Sequence, residues 1–515
     1  MRYFVSLVCL LLSTTLFAQE VDRFEQFRRS ATQKFEAARV QQHNTFEQHR
    51  AEVNRRYADH IRKVWGSYNS SPSVPVPKRP EPVVPPTYTP PTPAPQPTPA
   101  PQPTPAPKPT PAPQPAPAPK VVPTPAPVPT PAPKPTPAPA PKPTPAPAPK
   151  PAPAASPGPK VEFDFYGTTA SLRVPGTGVP SLFQPTEDAV ANCWLEVSKG
   201  GYDKMLDDCL ALRKSIGMGD WGYYCLVRDA ATCYYGAQCN DNTVLQAYLL
   251  AHSGFRVRLA RKDNRLFLLL NVAEMIYGHP YFMIGGVRYF FVESRVAPQS
   301  MQICNVEFPG EKGLSLEMAA PPRLNNNSAK SVRFASKRYP ELAVTLAPNK
   351  NLMNFYASYP TSPLASYVHT SLSAPLKEAL YPILKRATAQ KPQREAVEML
   401  LNFVQTAFEY KTDTNQFGFE KWFFGDEIFF YPFCDCDDRA IFFAVLVREV
   451  LGLDVVLLDY PNHIATAVRM AVSDKDGCVL VDGAKYVVCD PTYINASAGN
   501  VMPNLDGSKL KVIKL

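Results

Sequence analysis

Apolar and polar residues change rhythm several times along the chain, and each rhythm predicts a different element. In QREAVEMLLNFVQTAFEY, residues Ala396, Val397, Leu400, Leu401, Val404, Ala407 and Phe408 recur at helical spacing, which predicts a core helix. Residues 439–451 are almost wholly apolar and Gly452 follows, the pattern of a buried helix with a glycine stop. DVVLLDY (454–460), HIATAVRM (463–470) and KYVVCD (485–490) are separated by PN and by SDKDG and VDG turns, so they predict successive antiparallel strands. The closing KLKVIKL predicts a final strand.

The first half of the chain has two other rhythms. Written in elevens from Phe24, the sequence aligns Phe24, Phe35, Phe46 and Tyr57 in one column and Arg28, Arg39 and Arg50 in another. Eleven residues make three turns of about 3.67 residues each, which keeps the aromatic column on one face. The rest of this stretch is charged, so residues 20–68 predict a helix that either stands alone or self-associates or docks on an envelope partner. Residues 69–160 form a nearly strict X-Pro alternation. Proline at every second position excludes helix and sheet and predicts polyproline II, with a reach on the order of 250 Å. This stretch resembles the spacers of periplasm-spanning envelope proteins.

Composition changes the picture in three ways. Of the 60 prolines, 41 lie between Pro72 and Pro159, so that segment builds no core and the globular part is residues 161–515. Residues 71–160 hold eight Lys/Arg against one acid, Glu81, and so carry +7 of the net charge of +9. The globular part is therefore near neutral, which argues against a nucleic-acid partner. MRYFVSLVCLLLSTTLFAQE has one positive residue, a short apolar run and a small residue, Ala18, and predicts a secretory signal over 1–19. No other run predicts a transmembrane span, so the expected location is exported, in the periplasm or cell envelope or secreted. Ten further cysteines at irregular spacing leave disulfides among the six in the first half as an expectation without a connectivity.

The candidate chemistry lies in FCDCDDRA. Cys436 opens the buried helix, where unpaired N–H groups and the helix dipole favour a thiolate. His463 begins one strand and Asp490 ends another, so antiparallel pairing brings them together. Nucleophile, base and orienting carboxylate is the order that acyl transfer needs. Zinc at Cys434 and Cys436 lacks a second Cys/His pair at suitable spacing, and a redox pair of these two is the weaker alternative. DCDDRAIFFAVLVREVLGLDVV, YPNHIATAV and YVVCDPTY resemble the core of the transglutaminase-like superfamily, whose fold is akin to papain. The resemblance covers about residues 391–500. It implies Cys436 as nucleophile, His463 as base and Asp490 as orienting acid. It also implies a cysteine peptidase or amidase acting on a peptide or protein substrate without a cofactor, with protein cross-linking as the special case. Some members use calcium, but the sequence shows no evident cage of oxygen ligands. An oxyanion donor is expected from the Cys436 N–H, with Trp422 and Gln416 as side-chain candidates.

CNDNTVLQAYLLAHSGFRVRLARK (239–262) repeats the order Cys, Asp, buried helix, Gly, strand, and VRYFFVES places Glu293 where Asp490 stands. The strand that should open with His reads RLFLLL, and His252 and His279 fall in other elements. The expected architecture is α+β: a tandem of papain-like, transglutaminase-like cores, degenerate at 161–320 and catalytic at 391–515, joined by 321–390. A catalytically silent binding or scaffold protein is the other reading that this pattern allows.

Overall fold

The computed structural model describes residues 2–78, 81–90, 159–176, 182–199, 201–237 and 239–515, with side chains from Arg28 onward. The chain divides into two compact units, Met1–Tyr88 with Gly158–Leu515, and Thr89–Pro157. Residues 91–158 of the X-Pro spacer lie outside the described residues, and Lys160 already begins the strand Lys160–Phe165. The first unit is α+β, and its helices and strands follow one another in runs along the chain, with Glu187–Lys199 to Asn240–His252 a run of helices and Val257–Lys262 to Ala343–Leu346 a run of strands.

Among the described residues its two main sheets are a six-stranded closed barrel in the first half and a five-stranded sheet in the second. The C-terminal sheet runs in the order Cys478–Val481, Ala484–Cys489, His463–Val468, Val455–Tyr460, Lys511–Ile513. The barrel contains the same order: Tyr281–Ile284, Val287–Phe290, Arg265–Asn271, Val257–Lys262, Ser300–Cys304. A helix precedes each set, Cys436–Leu446 in one and Asn240–His252 in the other. The halves are thus one topology used twice. In the first half an extra strand, Trp65–Ser71, pairs with both Tyr281–Ile284 and Ser300–Cys304 and closes the barrel.

That strand corrects the expected helix over 20–68, which runs from Arg2 to Ile61 and stops there. Gly66, Ser67, Asn69 and Ser70 are poor helix formers, and pairing on both sides satisfies their backbone groups in the barrel. The aromatic column is split. Phe35 and Phe46 are 70% and 60% exposed, whereas Tyr57 is buried with its ring 4.4 Å from Trp194 and 5.3 Å from Phe308. Asn54, one turn earlier, accepts the Trp194 indole N–H at 2.9 Å. Among the described side chains of the helix, those of its last turns anchor it. Tyr57→Ala should cost about 3–5 kcal/mol in chemical denaturation, and Phe46→Ala no more than about 0.5 kcal/mol. Equal costs would contradict this division. No helix among the described residues is long and apolar enough to cross a membrane.

The helix Gln393–Ala407 and the helix Cys436–Leu446 pack with the C-terminal sheet into one apolar core. A π-turn, Val447–Leu451, continues the second helix and Gly452 ends it with φ of 66°, the left-handed stop that a glycine adopts without cost. The expected disulfides are absent: Cys193, Cys209, Cys225, Cys233, Cys239 and Cys304 are free thiols, like Cys434, Cys436, Cys478 and Cys489. Cys193, Cys209, Cys225 and Cys304 are used as small apolar side chains in the core of the first half, and burial pushes all four thiols up to about 11 or 12.

A candidate active site

Two of the three aspartates of DCDD, Asp435 and Asp438, are structural. Asp435 caps the helix, and a capping box joins it to Asp438, which accepts the Asp435 N–H at 3.2 Å. The other Asp438 oxygen accepts the Phe423 N–H at 2.9 Å, and Asp435 accepts the Asp413 N–H at 3.1 Å. Asp413 in turn accepts from the backbone of Lys421. Side chains at the helix start thus tie down the loop 413–423, and they fix Cys436 as the first helical residue.

Cys436 is fully buried, and its sulfur accepts the Ile464 N–H at 3.4 Å. This bond seats the thiol against the first residues of the strand His463–Val468. Tyr460 and His463 face each other across the hairpin, and Thr466 pairs with Cys489. That register sets His463 beside the end of the neighbouring strand, where Asp490 follows. His463 Nε2 lies 2.9 Å from Asp490 Oδ2, and both residues are buried. The other Asp490 oxygen accepts the N–H groups of Thr492 and Tyr493 at 2.9 and 3.2 Å, so the carboxylate caps a turn and holds the imidazole at once. The Asp490 contact assigns the ring proton to Nε2. Nδ1 is buried without a hydrogen bond among the described residues, which leaves it as the nitrogen able to exchange a proton.

Two residues missed by sequence reasoning complete the surroundings. Gln405 uses its amide nitrogen to reach the carbonyls of Asp490, Tyr493 and Ala496 at 3.0, 2.8 and 3.0 Å, so the helix Gln393–Ala407 fixes the loop that carries Asp490. A lone glutamine at a core-facing helix position was the available signal. Glu81, from the start of the proline-rich stretch, lies 3.1 Å from the Tyr410 hydroxyl and within hydrogen-bonding reach of the Cys436 thiol. Nothing local in the sequence points to it.

Two acidic triplets gather here, Glu81 with Glu420 and Asp437, and Asp413 with Asp435 and Asp438, each with donor atoms within 4.8 Å of one another. Residues distant in sequence supply them, which is why the spacing did not show them. The second triplet already serves the loop and cap. Burial, reinforced by Asp437, pushes Asp413 up to about 9 and Asp435 far above the usual carboxylate range. Burial and the nearby Asp413 do the same to Asp438. Protonation thus relieves this crowding in the absence of a cation.

Of the oxyanion candidates, Gln416 donates to the Phe433 carbonyl at 3.3 Å. Trp422 packs edge-on to Tyr277 and Tyr367 in the wall of an 800 Å³ cavity that Glu420 also lines.

The matching place in the first half is a 260 Å³ cavity lined by Cys239, Arg265 and Glu293. Lys262 faces Arg265 as Tyr460 faces His463, so a guanidinium occupies the histidine position. It forms an ion pair with Glu293. His252 lies elsewhere, bonded to Asn54 at 2.9 Å, and burial lowers it to about 4. Arginine cannot act as a base at neutral pH, so the position that matches His463 supplies no proton acceptor to the Cys239 thiol. The chain matches no family model, no curated protein and no solved structure.

Proposed function

We propose that the protein is a thiol enzyme of transglutaminase-like, papain-like type that acts on amide or peptide bonds, with hydrolysis as the outcome. The observation that carries this reading is the buried His463–Asp490 pair with Nδ1 unbonded, beside a thiol at the start of a buried helix. Cys436 transfers its proton to His463 and its sulfur bonds to the substrate carbonyl carbon. The carbonyl oxygen takes the negative charge near the helix N-terminus. The C–N bond breaks, His463 returns the proton to the leaving amine, and a thioester remains. Water activated by the same imidazole then releases the acid and restores the thiol. Asp490 holds the ring in the tautomer that this cycle needs.

The leader-like start and the proline-rich spacer support an exported, envelope-associated location. The reading is tested on a panel of peptide and amide substrates, with acyl-enzyme sought by mass spectrometry. Cys436→Ala should abolish both turnover and the thioester adduct. Turnover that survives this substitution sinks the proposal, and the silent binding module then becomes the better reading.

A further inference from the structure

We infer that the described stretches 72–78 and 81–88 form a latency strap, a segment of this chain that occupies the approach to Cys436 and must leave before a substrate binds. This regulation rests on the thiol-enzyme reading of the site. The strap is held at both ends and plugged in the middle. At one end the Val74 carbonyl accepts the Gly278 N–H at 2.7 Å, and Val76 packs against the apolar core of the second half. At the other, Ile494 N–H donates to the Pro86 carbonyl at 2.9 Å and Tyr88 N–H donates to the Ile494 carbonyl at 2.8 Å. The Tyr88 ring sits edge-on to Tyr493 at 5.7 Å. Ile494 lies in the loop that Asp490 begins, so this anchor closes directly beside the triad. Between the two anchors Glu81 reaches Tyr410 and the Cys436 thiol.

The chemistry of the plug explains why it persists. Glu81 presents a carboxyl, whose leaving group would be hydroxide, where a substrate would present an amide. The thiol is covered by a group that it cannot acylate from. Prolines 72, 75, 77, 82, 85 and 86 favour the extended conformation in advance, which lowers the entropy cost of docking. The pairing with Ile494 is also how an extended peptide substrate would add its backbone to the same edge. Val83 and Val84 face solvent, so lifting the strap uncovers little apolar surface of its own.

Docking should depend on pH. Glu81 faces Cys436 and Asp437 on the helix, Tyr410 on the adjoining short strand, and Glu420 and Asp413 on the loop. Burial first, then the charges of Asp437 and Glu420, raise its carboxyl from 4.5 to about 8. A raised carboxyl favours the docked state fully below about pH 4.5, and this preference is lost progressively up to about pH 8. Neutral to mildly alkaline conditions should therefore loosen the strap.

The test is iodoacetamide labelling of Cys436 in the full chain, followed by peptide mass mapping, with exposed Cys233 and Cys478 as internal references. Tyr88→Ala and Glu81→Ala should each raise Cys436 labelling about tenfold or more without changing the references. Equal Cys436 rates in all three proteins would overturn the strap. Introducing His463→Ala into the Glu81→Ala protein separates the two readings. An opened thiol indifferent to His463 removes the enzyme and leaves the strap standing. Hydrogen exchange at the Tyr88 amide, corrected for intrinsic rate, should report more frequent opening at pH 8 than at pH 5. The difference should vanish in Glu81→Gln, and a wild type without it would overturn the Glu81 latch.

Discussion

Alkylation of Cys436 at pH 6 falls about 100-fold or more when His463 is replaced by alanine in the Glu81→Ala protein, in which the thiol is uncovered. The magnitude follows from what the imidazole supplies. An ordinary thiol, with a pKa near about 8.5, is under one per cent ionised at pH 6. A thiolate–imidazolium pair keeps the sulfur ionised well below neutrality, and base assistance of this kind is worth about 10²–10⁴ in rate. The structure adds a reason to expect strong dependence on the partner. Cys436 is fully buried, and a thiolate without a cation beside it would lack solvation there. Asp490→Asn should produce a smaller loss, because Thr492 and Tyr493 still hold the side-chain oxygen while the ring loses its charged partner. The wild-type-like chain should show a plateau from about pH 5.5 to 8, and His463→Ala a single rise above about pH 8. Alkylation that rises only above pH 8 in both proteins would mark Cys436 as an ordinary buried cysteine. Circular dichroism of each variant guards against unfolding, since His463→Ala leaves Asp490 without its buried partner.

Much of the second half was legible because its elements are local. Helix Gln393–Ala407 follows the 3.6 rhythm of its apolar residues, and the strands around His463 are short apolar runs bounded by turn residues. Cys436, His463 and Asp490 could be found since each sits at the end of such an element. The repeated topology was also visible in outline, but Arg265 could be recognised as the histidine equivalent only from the hairpin register. Three features were out of reach for one physical reason. The strand Trp65–Ser71 is stabilised by neighbours more than 200 residues away, the acidic triplets combine distant segments, and Glu81 docks across more than 300 residues. Proline content alone marks 72–88 as extended, and extended chain can equally be spacer or strap. The free cysteines show the same limit from the other side, since spacing records neither burial nor distance.

Arg439→Met should destabilise the protein by about 3 kcal/mol or more in urea denaturation, the largest stability loss expected for any single charged residue near the site. Arg439 is 1% exposed, and both carbonyls that its guanidinium reaches lie at the far end of the helix Gln393–Ala407 or in its immediate continuation. Nη2 donates to the Phe408 carbonyl at 2.8 Å, Nη1 to the Gln405 carbonyl at 3.4 Å, and Nε to the Cys434 sulfur at 3.4 Å. The Tyr410 ring lies beneath it at 5.3 Å. A cation is thus set against the carbonyl end of one helix while it belongs to the first turn of another. Methionine fills comparable volume and donates nothing, so two buried carbonyls lose a charged donor. Lysine keeps the charge without the planar fork, and Arg439→Lys should recover no more than about half of the loss. The consequence extends to the triad, because Gln405 is both a carbonyl partner of Arg439 and the side chain that holds the Asp490 loop. In Arg439→Met proteins that remain folded, the His463 requirement of Cys436 alkylation should weaken together with stability. A variant that loses less than about 1 kcal/mol would show that water replaces the guanidinium at no great cost. Arg439 would then no longer be the link between the two helices that frame the site.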